Sequence, residues 1–143
     1  GIAASGRSVL REVRNLDVHD NSFDGLRLRT SGVRVEDVAT TGNGRNGAAL
    51  SGHGVEVAGV VAASNARDGL QVRGTGATVE AESRGNRRNG VVVAGRGNRL
   101  GQVTSESNAG VGLFVSGEGH DLQGLQARDN AAGAVAGGVA PGF

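Results

Sequence analysis

Short alternations of apolar and polar residues recur along the whole chain, and each one follows a glycine. The glycines that open them are Gly25, Gly47, Gly69, Gly90, Gly112 and Gly133, spaced by 22, 22, 21, 22 and 21 residues. The apolar pairs after them are Leu26/Leu28, Ala48/Leu50, Leu70/Val72, Val91/Val93, Leu113/Val115 and Ala134/Ala136. Gly1 opens an earlier copy 24 residues before Gly25, with its extra residues expected at positions 5–10. A period of two predicts short β-strands whose apolar side chains point inward.

Each copy continues through a glycine-containing turn into a second apolar stretch and closes on an asparagine. The second stretches are Val33/Val35/Val38, Val55/Val57/Val60, Ala77/Val79/Ala81, Leu100/Val103 and Leu122/Leu125. Strands this short cannot bury a face alone, so the copies must stack and pair in parallel with their neighbours. The sequence therefore predicts an all-β, single-stranded parallel β-helix, a β-solenoid of about seven rungs of 21–24 residues. A leucine-rich repeat is excluded because its denser L-x-x-L-x-L pattern is absent.

The repeat unit, G-Φ-x-Φ-x-G-x-x-Φ-x-Φ…N-x-x-[ND]-G with Φ apolar, is similar to that of the pectate-lyase-like superfamily of parallel β-helices. The similarity extends over essentially the whole chain and implies a right-handed β-helix, the hand that crossovers between parallel strands follow. It also implies a secreted or cell-surface location. The superfamily includes polysaccharide lyases, glycoside hydrolases, alginate C5-epimerases, phage tailspikes and surface proteins without a known reaction, so the fold does not select a function.

The composition suits a narrow interior and excludes several classes of function. The chain contains 27 glycines and one proline, and it has no cysteine, methionine, tryptophan or tyrosine. Without cysteine, disulfides and thiol chemistry are excluded. No apolar run approaches the roughly 18 residues of a membrane span. The net charge of +1 and the lack of a long block of one sign argue against a nucleic-acid partner.

Equivalent positions in successive rungs form columns about 4.8 Å apart. The closing asparagines predict a structural ladder of amides at one bend: Asn21, Asn43, Asn65, Asn86, Asn108 and Asn130. Nine residues before each asparagine lies an outward column of alternating sign: Glu12, Arg34, Glu56, an uncharged gap at Ala77, Arg99 and Asp121. Opposite charges on neighbouring strands favour the correct register, so this column is expected to set register and aid solubility.

Two groups of basic residues are candidates for binding. Arg45, Arg67 and Arg88, each two residues after a ladder asparagine, predict a ridge of stacked guanidiniums that suits a carboxylate- or sulfate-bearing chain. The following Asn46, Asp68 and Asn89 are turn-forming residues that offset this charge only in part. A solvated turn is the structural alternative.

The outer face of the strand after each glycine changes character along the stack. It begins with Arg27, Arg29, Gln71 and Arg73, and it ends with Val92, Phe114 and Val135. By resemblance, this face forms the substrate groove, so the basic half predicts binding of an acidic polysaccharide. The apolar half predicts contact with a partner, either another subunit or a segment of a parent chain.

A catalytic site has only weak candidates. Alternation turns Asp17 and His19 the same way, with Arg27 further along, and these groups suit proton abstraction beside a uronate carboxylate. Calcium has a role only under that enzymatic interpretation, where it could neutralise charge, and no other cofactor and no metal site is expected. His53 and His120 lie in or beside turns of different rungs and are expected to be solvated.

The chain is expected to be one β-helix domain over residues 1–143, either a piece of a longer β-helix or an uncapped solenoid. Open strand edges at the two ends, or the apolar outer face, then favour self-association. Two functions remain open. One is a rigid scaffold or binding module that contacts acidic polysaccharide or assembles with partners. The other is the core of a polysaccharide lyase, hydrolase or uronate C5-epimerase.

Overall fold

The structure is a computed structural model that describes residues 1–5 and 10–137. Within these ranges the chain forms a parallel β-solenoid of about six turns, and it contains no helix. This confirms the predicted fold class and is close to the predicted seven rungs, since the last copy contributes only one short strand to the described part. Residues 6–9, where the first copy was expected to carry its extra residues, lie outside the described ranges.

Two parallel sheets form the walls of the solenoid. The first sheet contains the strands that follow the repeat glycines, in spatial order β1 (Ile2–Ser5), β3 (Leu26–Arg29), β5 (Ala48–His53), β7 (Leu70–Thr75), β9 (Val91–Arg96), β11 (Leu113–Glu118) and β13 (Val135–Ala136). The second contains β2 (Glu12–His19), β4 (Arg34–Thr41), β6 (Glu56–Ala63), β8 (Thr78–Arg84), β10 (Arg99–Glu106) and β12 (Asp121–Arg128). Each strand pairs with the equivalent strand one repeat away, as stacking of the copies predicts.

The interior is filled by the small and branched side chains that alternation turned inward. The largest fully buried side chains in the described ranges include Leu26, Leu28, Leu70, Leu100 and Leu113. Together with valines from both sheets they form one continuous core. On the last turn Leu122 and Leu125 are only half-buried against this core. Each large apolar side chain that is fully buried stabilises the folded state by about 1.5–3 kcal/mol, so this core is the main contribution to the stability of the fold.

The copy that begins at Gly69 has 21 residues because its second strand, β8, lacks a bulge. Strand β6 accommodates one more residue than β8, and the register shifts between Ala58 and Val60. The shorter strand changes the outward charge column, where Thr78 rather than Ala77 lies opposite Glu56 and Arg99. Ala77 is instead buried, 1% exposed, one residue earlier. The expectation that Ala77 fills the gap was therefore wrong, because counting back from the asparagine misses the deletion.

The last copy is in a different register from the one that Gly133 predicts. Val135 pairs with the inward Leu113, and Ala136 pairs with the outward Phe114. Ala134 therefore takes the place of the repeat glycine, which keeps the four-residue spacing after Asn130. A shift of one residue exchanges the two faces of a strand. The predicted inward pair Ala134/Ala136 was wrong, and Val135 belongs to the inward column rather than the outer face.

The asparagine ladder is confirmed as the central hydrogen-bonded column. Each Nδ2 donates to the Oδ1 of the next asparagine at 2.9–3.0 Å, from Asn21 through Asn43, Asn65, Asn86 and Asn108 to Asn130. Each of these Oδ1 atoms also accepts a backbone N–H from the preceding ladder residue. The second amide proton of Asn43 and of Asn65 reaches the carbonyl of Val18 and of Thr40 respectively. Amides that are almost completely buried are thus satisfied on every side.

A shorter ladder lies at the turn before the second sheet. The backbone N–H of Ala77 donates to Oδ1 of Asn98 at 2.9 Å, and the backbone N–H of Asn98 donates to Nδ1 of His120 at 3.3 Å. The Nε2 of His120 lies 2.9 Å from the carbonyl oxygen of Ser116. Because Nδ1 accepts, Nε2 carries the proton in this arrangement. His120 is only 5% exposed, so the expectation of a solvated histidine was wrong.

We predict that Asn65→Ala destabilises the fold by roughly 2–4 kcal/mol. The substitution leaves the backbone N–H of Asn43 and the carbonyl of Thr40 without their partner in a buried environment. Urea unfolding measures the change. Asn15→Gly is the control, since Asn15 is exposed with a φ of 54° that glycine adopts freely. Equal midpoints for the wild-type protein and Asn65→Ala would contradict the role of the ladder.

Two neighbouring glycines offer a matched test of rung-to-rung contact. Gly95 and Gly97 both have positive φ, 124° and 60°. A Cβ at Gly95 would overlap the carbonyl oxygen of Gly74 on the adjacent rung, whereas a Cβ at Gly97 would meet nothing. We predict a loss of roughly 3 kcal/mol or more for Gly95→Ala and about 1–2 kcal/mol for Gly97→Ala. Thermal and urea unfolding measure both, and a larger loss for Gly97→Ala would contradict the close packing.

Candidate functional site

Three neighbouring strands of the first sheet position the basic half of its outer face. In β3 the side chains of Leu26 and Leu28 are buried, which turns Arg27 and Arg29 outward. In β7 the same alternation turns Gln71 and Arg73 outward. The strand between them, β5, contributes only the small side chains of Ala49 and Ser51, which pair with these positions on both sides.

The predicted arginine ridge borders this face. A chain of backbone hydrogen bonds places Phe23, Arg45, Arg67 and Arg88 in one column: the N–H of Arg45 donates to the carbonyl of Phe23 at 3.2 Å, and Arg67 and Arg88 repeat the pattern. Between ridge and strands lies an open groove of about 400 Å³. Its charged and polar lining is Asp24, Arg27, Arg29, Arg45, Asn46, Ser51, Arg67, Gln71 and Arg73. The structure thus brings the two predicted basic groups together, and Arg88 continues the ridge outside the groove lining.

A third ladder, the Asp/Asn ladder, lies directly before the repeat glycines and contributes Asp24 and Asn46 to the groove lining. The backbone N–H of Asn46 donates to Oδ1 of Asp24, that of Asp68 to Oδ1 of Asn46, and that of Asn89 to Oδ1 of Asp68, at 2.9–3.2 Å. Oδ2 of Asp68 accepts a 2.7 Å bond from Nε2 of Gln71. Sequence reasoning treated these residues as turn formers and missed the ladder. Its signal was the recurrent Asp or Asn directly before the repeat glycine.

The groove contains more positive charge than its acids neutralise. Arg27 lies 4.0 Å from the carboxylate of Asp24, whose side chain is 8% exposed. Within residues 1–5 and 10–137, no ion pair is found for Arg29, Arg45, Arg67 or Arg73. Outside the groove, six arginines of the described part pair with acids: Arg14 with Glu12, Arg34 with Glu36, Arg84 with Glu82, Arg96 with Glu118, Arg99 with Asp121 and Arg128 with Glu106. The groove is therefore a local excess of guanidinium groups on a chain of nearly neutral net charge.

The candidate catalytic residues divide between two places. Asp17 and His19 are exposed on the same face of β2, separated by the buried Val18, and border a shallow depression beside Gly1. Arg27 lies in the arginine groove and pairs with Asp24. Nδ1 of His19 lies 2.9 Å from the carboxylate of Asp20. This hydrogen bond, followed by the negative charges of Asp20 and Asp17, raises the pKa of His19 above its ordinary value.

The predicted apolar partner patch is smaller than expected. Phe114 is exposed on the outer face, at 37%. Val92 also points outward in register but is only 8% exposed, because it lies between Gln71 and Phe114 in the column. Val135 is 40% exposed but belongs to the inward column of the last copy. Only Phe114 among these three residues is both outward-facing and exposed.

Across residues 1–5 and 10–137, no cluster of three or more histidine, aspartate or glutamate side chains is close enough to hold a metal ion. No helix long and apolar enough to cross a membrane occurs in the same ranges.

Comparisons with family models, with curated proteins and with solved structures found no significant match to this chain.

We predict that Asp20→Asn lowers the pKa of His19 toward its ordinary value, because the largest cause of the upward shift is then removed. A raised folded-state pKa means that the interaction stabilises the fold below the ordinary histidine value. This contribution is lost as the pH rises through the raised value. NMR titration of the His19 ring measures the shift. Asp129→Asn, at the equivalent turn position of a later rung, serves as the control; an unchanged pKa in Asp20→Asn would contradict the prediction.

Proposed function

We propose that this chain is a rigid β-solenoid binding module whose arginine groove holds an acidic polysaccharide. The observation that carries the proposal is the set of four arginines, Arg29, Arg45, Arg67 and Arg73, that line one groove without an ion-pair partner in the described part of the chain. Clustered like charges destabilise each other, and a polyanion relieves that repulsion.

The groups in the groove suit carboxylates or sulfates on a chain molecule. A guanidinium presents paired N–H donors that match the oxygens of both anions. The groove is open along the stack, so a polymer can enter from the side. Arg29 and Arg73 are two rungs apart, about 10 Å along the axis, with the small side chains of Ala49 and Ser51 between them. This leaves room for a chain to lie across the floor.

Rigidity of the wall favours this function. The strands that carry Arg27, Arg29 and Arg73 are paired on both sides, and Asp68 of the Asp/Asn ladder holds Gln71 by a hydrogen bond. Fewer groups must then be ordered on binding, which lowers the entropic cost of association. A place in a secreted or cell-surface protein, and membership of the pectate-lyase-like superfamily, belong to the same proposal, because proteins of that fold meet polysaccharides outside the cell.

An enzymatic function of the lyase, hydrolase or epimerase kind is the second candidate. The raised pKa of His19, with Asp17 exposed on the same face, is the feature in its favour, since a histidine beside carboxylates suits proton transfer. Asp17 and His19 do not line the arginine groove itself, and this favours binding over catalysis in the groove. Calcium would enter only with this second function, to neutralise a uronate carboxylate.

We predict that the wild-type protein binds polygalacturonate, alginate or heparin, and that NaCl weakens this binding by screening. The triple variant Arg29→Ala/Arg67→Ala/Arg73→Ala should bind roughly 100-fold more weakly, because each exposed guanidinium–anion contact contributes up to about 1 kcal/mol. Isothermal titration calorimetry measures the affinities, and comparison of the uronate polymers with heparin separates carboxylate from sulfate recognition. Neutral dextran should not bind.

The matched control removes the same charge from the other sheet. Arg14→Ala/Arg84→Ala/Arg99→Ala also eliminates three positive charges, all from β2, β8 and β10. Equal losses in the two triple variants would show that net charge, and not the groove, governs binding. Unsaturated uronate product in the same mixtures with calcium, lost in Asp17→Asn, would replace the binding function with the catalytic one.

A further inference from the structure

Phe23 is the most exposed large apolar side chain among the described residues. It is 65% exposed, whereas Phe114, Ile2 and Val135 are between 37% and 40% exposed. It lies in the turn between the ladder residue Asn21 and Gly25, and backbone hydrogen bonds place it at the head of the arginine column. A phenylalanine in this position contributes little to the core, so its ring is available to a ligand.

One arginine of the groove holds the ring in place. The guanidinium carbon of Arg45 lies 5.3 Å from the centre of the Phe23 ring. Stacking of this kind orients both groups and leaves the guanidinium N–H groups free to meet an anion at their edge. An aromatic surface and an anion-binding group are thus presented side by side.

The space around Phe23 borders the arginine groove. A depression of about 500 Å³ is lined by Ile2, Ala3 and the turn that contains Phe23, together with Asp24, Arg27 and Arg45. These last three residues also line the arginine groove. A ligand that occupies the groove therefore needs to pass only Arg27 and Arg45 to reach the ring.

We infer that Phe23 is a stacking platform for one sugar ring of the acidic polysaccharide, at the end of the arginine groove. The inference rests on the proposed function and deepens it, because it assigns a second kind of subsite. Sugar rings have an apolar face of C–H groups that suits an aromatic ring, and their acidic substituents suit the guanidiniums of Arg27 and Arg45, which line the same depression. Arg27 already has the carboxylate of Asp24 beside it, whereas Arg45 has no ion-pair partner in the described part of the chain. A purely apolar partner would therefore desolvate the Arg45 guanidinium without an anion, which is costly. The charges around the ring thus select an anionic amphipathic ligand.

The platform also gives the groove a direction. The aromatic subsite lies at the β1–β3 end, whereas the outer face beyond Gln71 continues with Val92 and Phe114. A bound chain then meets an aromatic ring at one end and guanidiniums along the rest. A symmetric ridge of arginines alone would not distinguish the two orientations of a polysaccharide.

Titration with an oligogalacturonate and with a heparin oligosaccharide, each of defined length, tests the inference. Phe23→Ala should weaken binding about tenfold, the loss expected for partial burial of one ring face. Its dependence on NaCl should match that of the wild-type protein, because every arginine is retained. Phe23→Tyr should restore the affinity. Phe114→Ala, which removes the other exposed phenylalanine, should change the affinity by less than about twofold.

NMR supplies a second readout that does not depend on affinity. Sugar protons should give nuclear Overhauser effects to the Phe23 ring and move upfield in the complex. If the wild-type protein binds and Phe23→Ala binds equally well, the platform is wrong and the arginine groove stands. If neither protein binds an acidic oligosaccharide, the proposed function fails and the platform with it. A concentration-dependent dimer that Phe23→Ala dissolves would assign the ring to a second copy of this chain and overturn the inference.

Discussion

The buried amide-to-amide hydrogen bond between one rung and the next is the interaction on which the rest of this molecule depends. Backbone hydrogen bonds between parallel strands form equally well in several registers, so they do not by themselves fix how neighbouring rungs align. Asn43, Asn65 and Asn86 each donate to the next rung and accept from the previous one, so a slip of one rung leaves buried amides unsatisfied. The apolar core favours stacking in general, and the ladder selects one alignment out of many.

Because the rungs stay aligned, a residue at a given position of one copy lies directly beside the residues at the same position in the neighbouring copies. Arginine at the turn of three successive copies becomes a ridge, and arginine on alternate strands becomes one side of a groove. Acids balance such columns on the second sheet, as in the pair of Arg99 with Asp121. On the first sheet the column of Arg29 and Arg73 has Ser51 between them instead of an acid. The groove therefore has an excess of positive charge because the strand between its arginines carries a serine where an acid could balance them.

The repeat predicted the fold, the core and the asparagine ladder, because these depend on spacing alone. Spacing was a poorer guide wherever a copy departed from it. Counting from Gly133 predicted the wrong register for the last strand, whereas counting four residues from Asn130 gives the correct one. The basic strand face and the arginine ridge were predicted as two separate candidates. That both line one groove escaped prediction, because Arg45 and Arg73 are distant in sequence and come to the same groove only through the coil of the chain. The burial of His120 depends on a two-member column with Asn98, too short to recognise as a ladder.

The strand β5, with only Ala49 and Ser51 facing the groove, has a consequence for how such a protein changes over time. Each rung contacts only its neighbours, so gain or loss of one whole copy is tolerated more easily than a point insertion within it. Duplication of the rung that contains β5 would separate Arg29 from Arg73 by one further strand spacing, about 4.8 Å, with the rest of the wall intact. The distance between binding groups along the axis can therefore change only in steps of one strand spacing, and the number of repeat copies sets that distance.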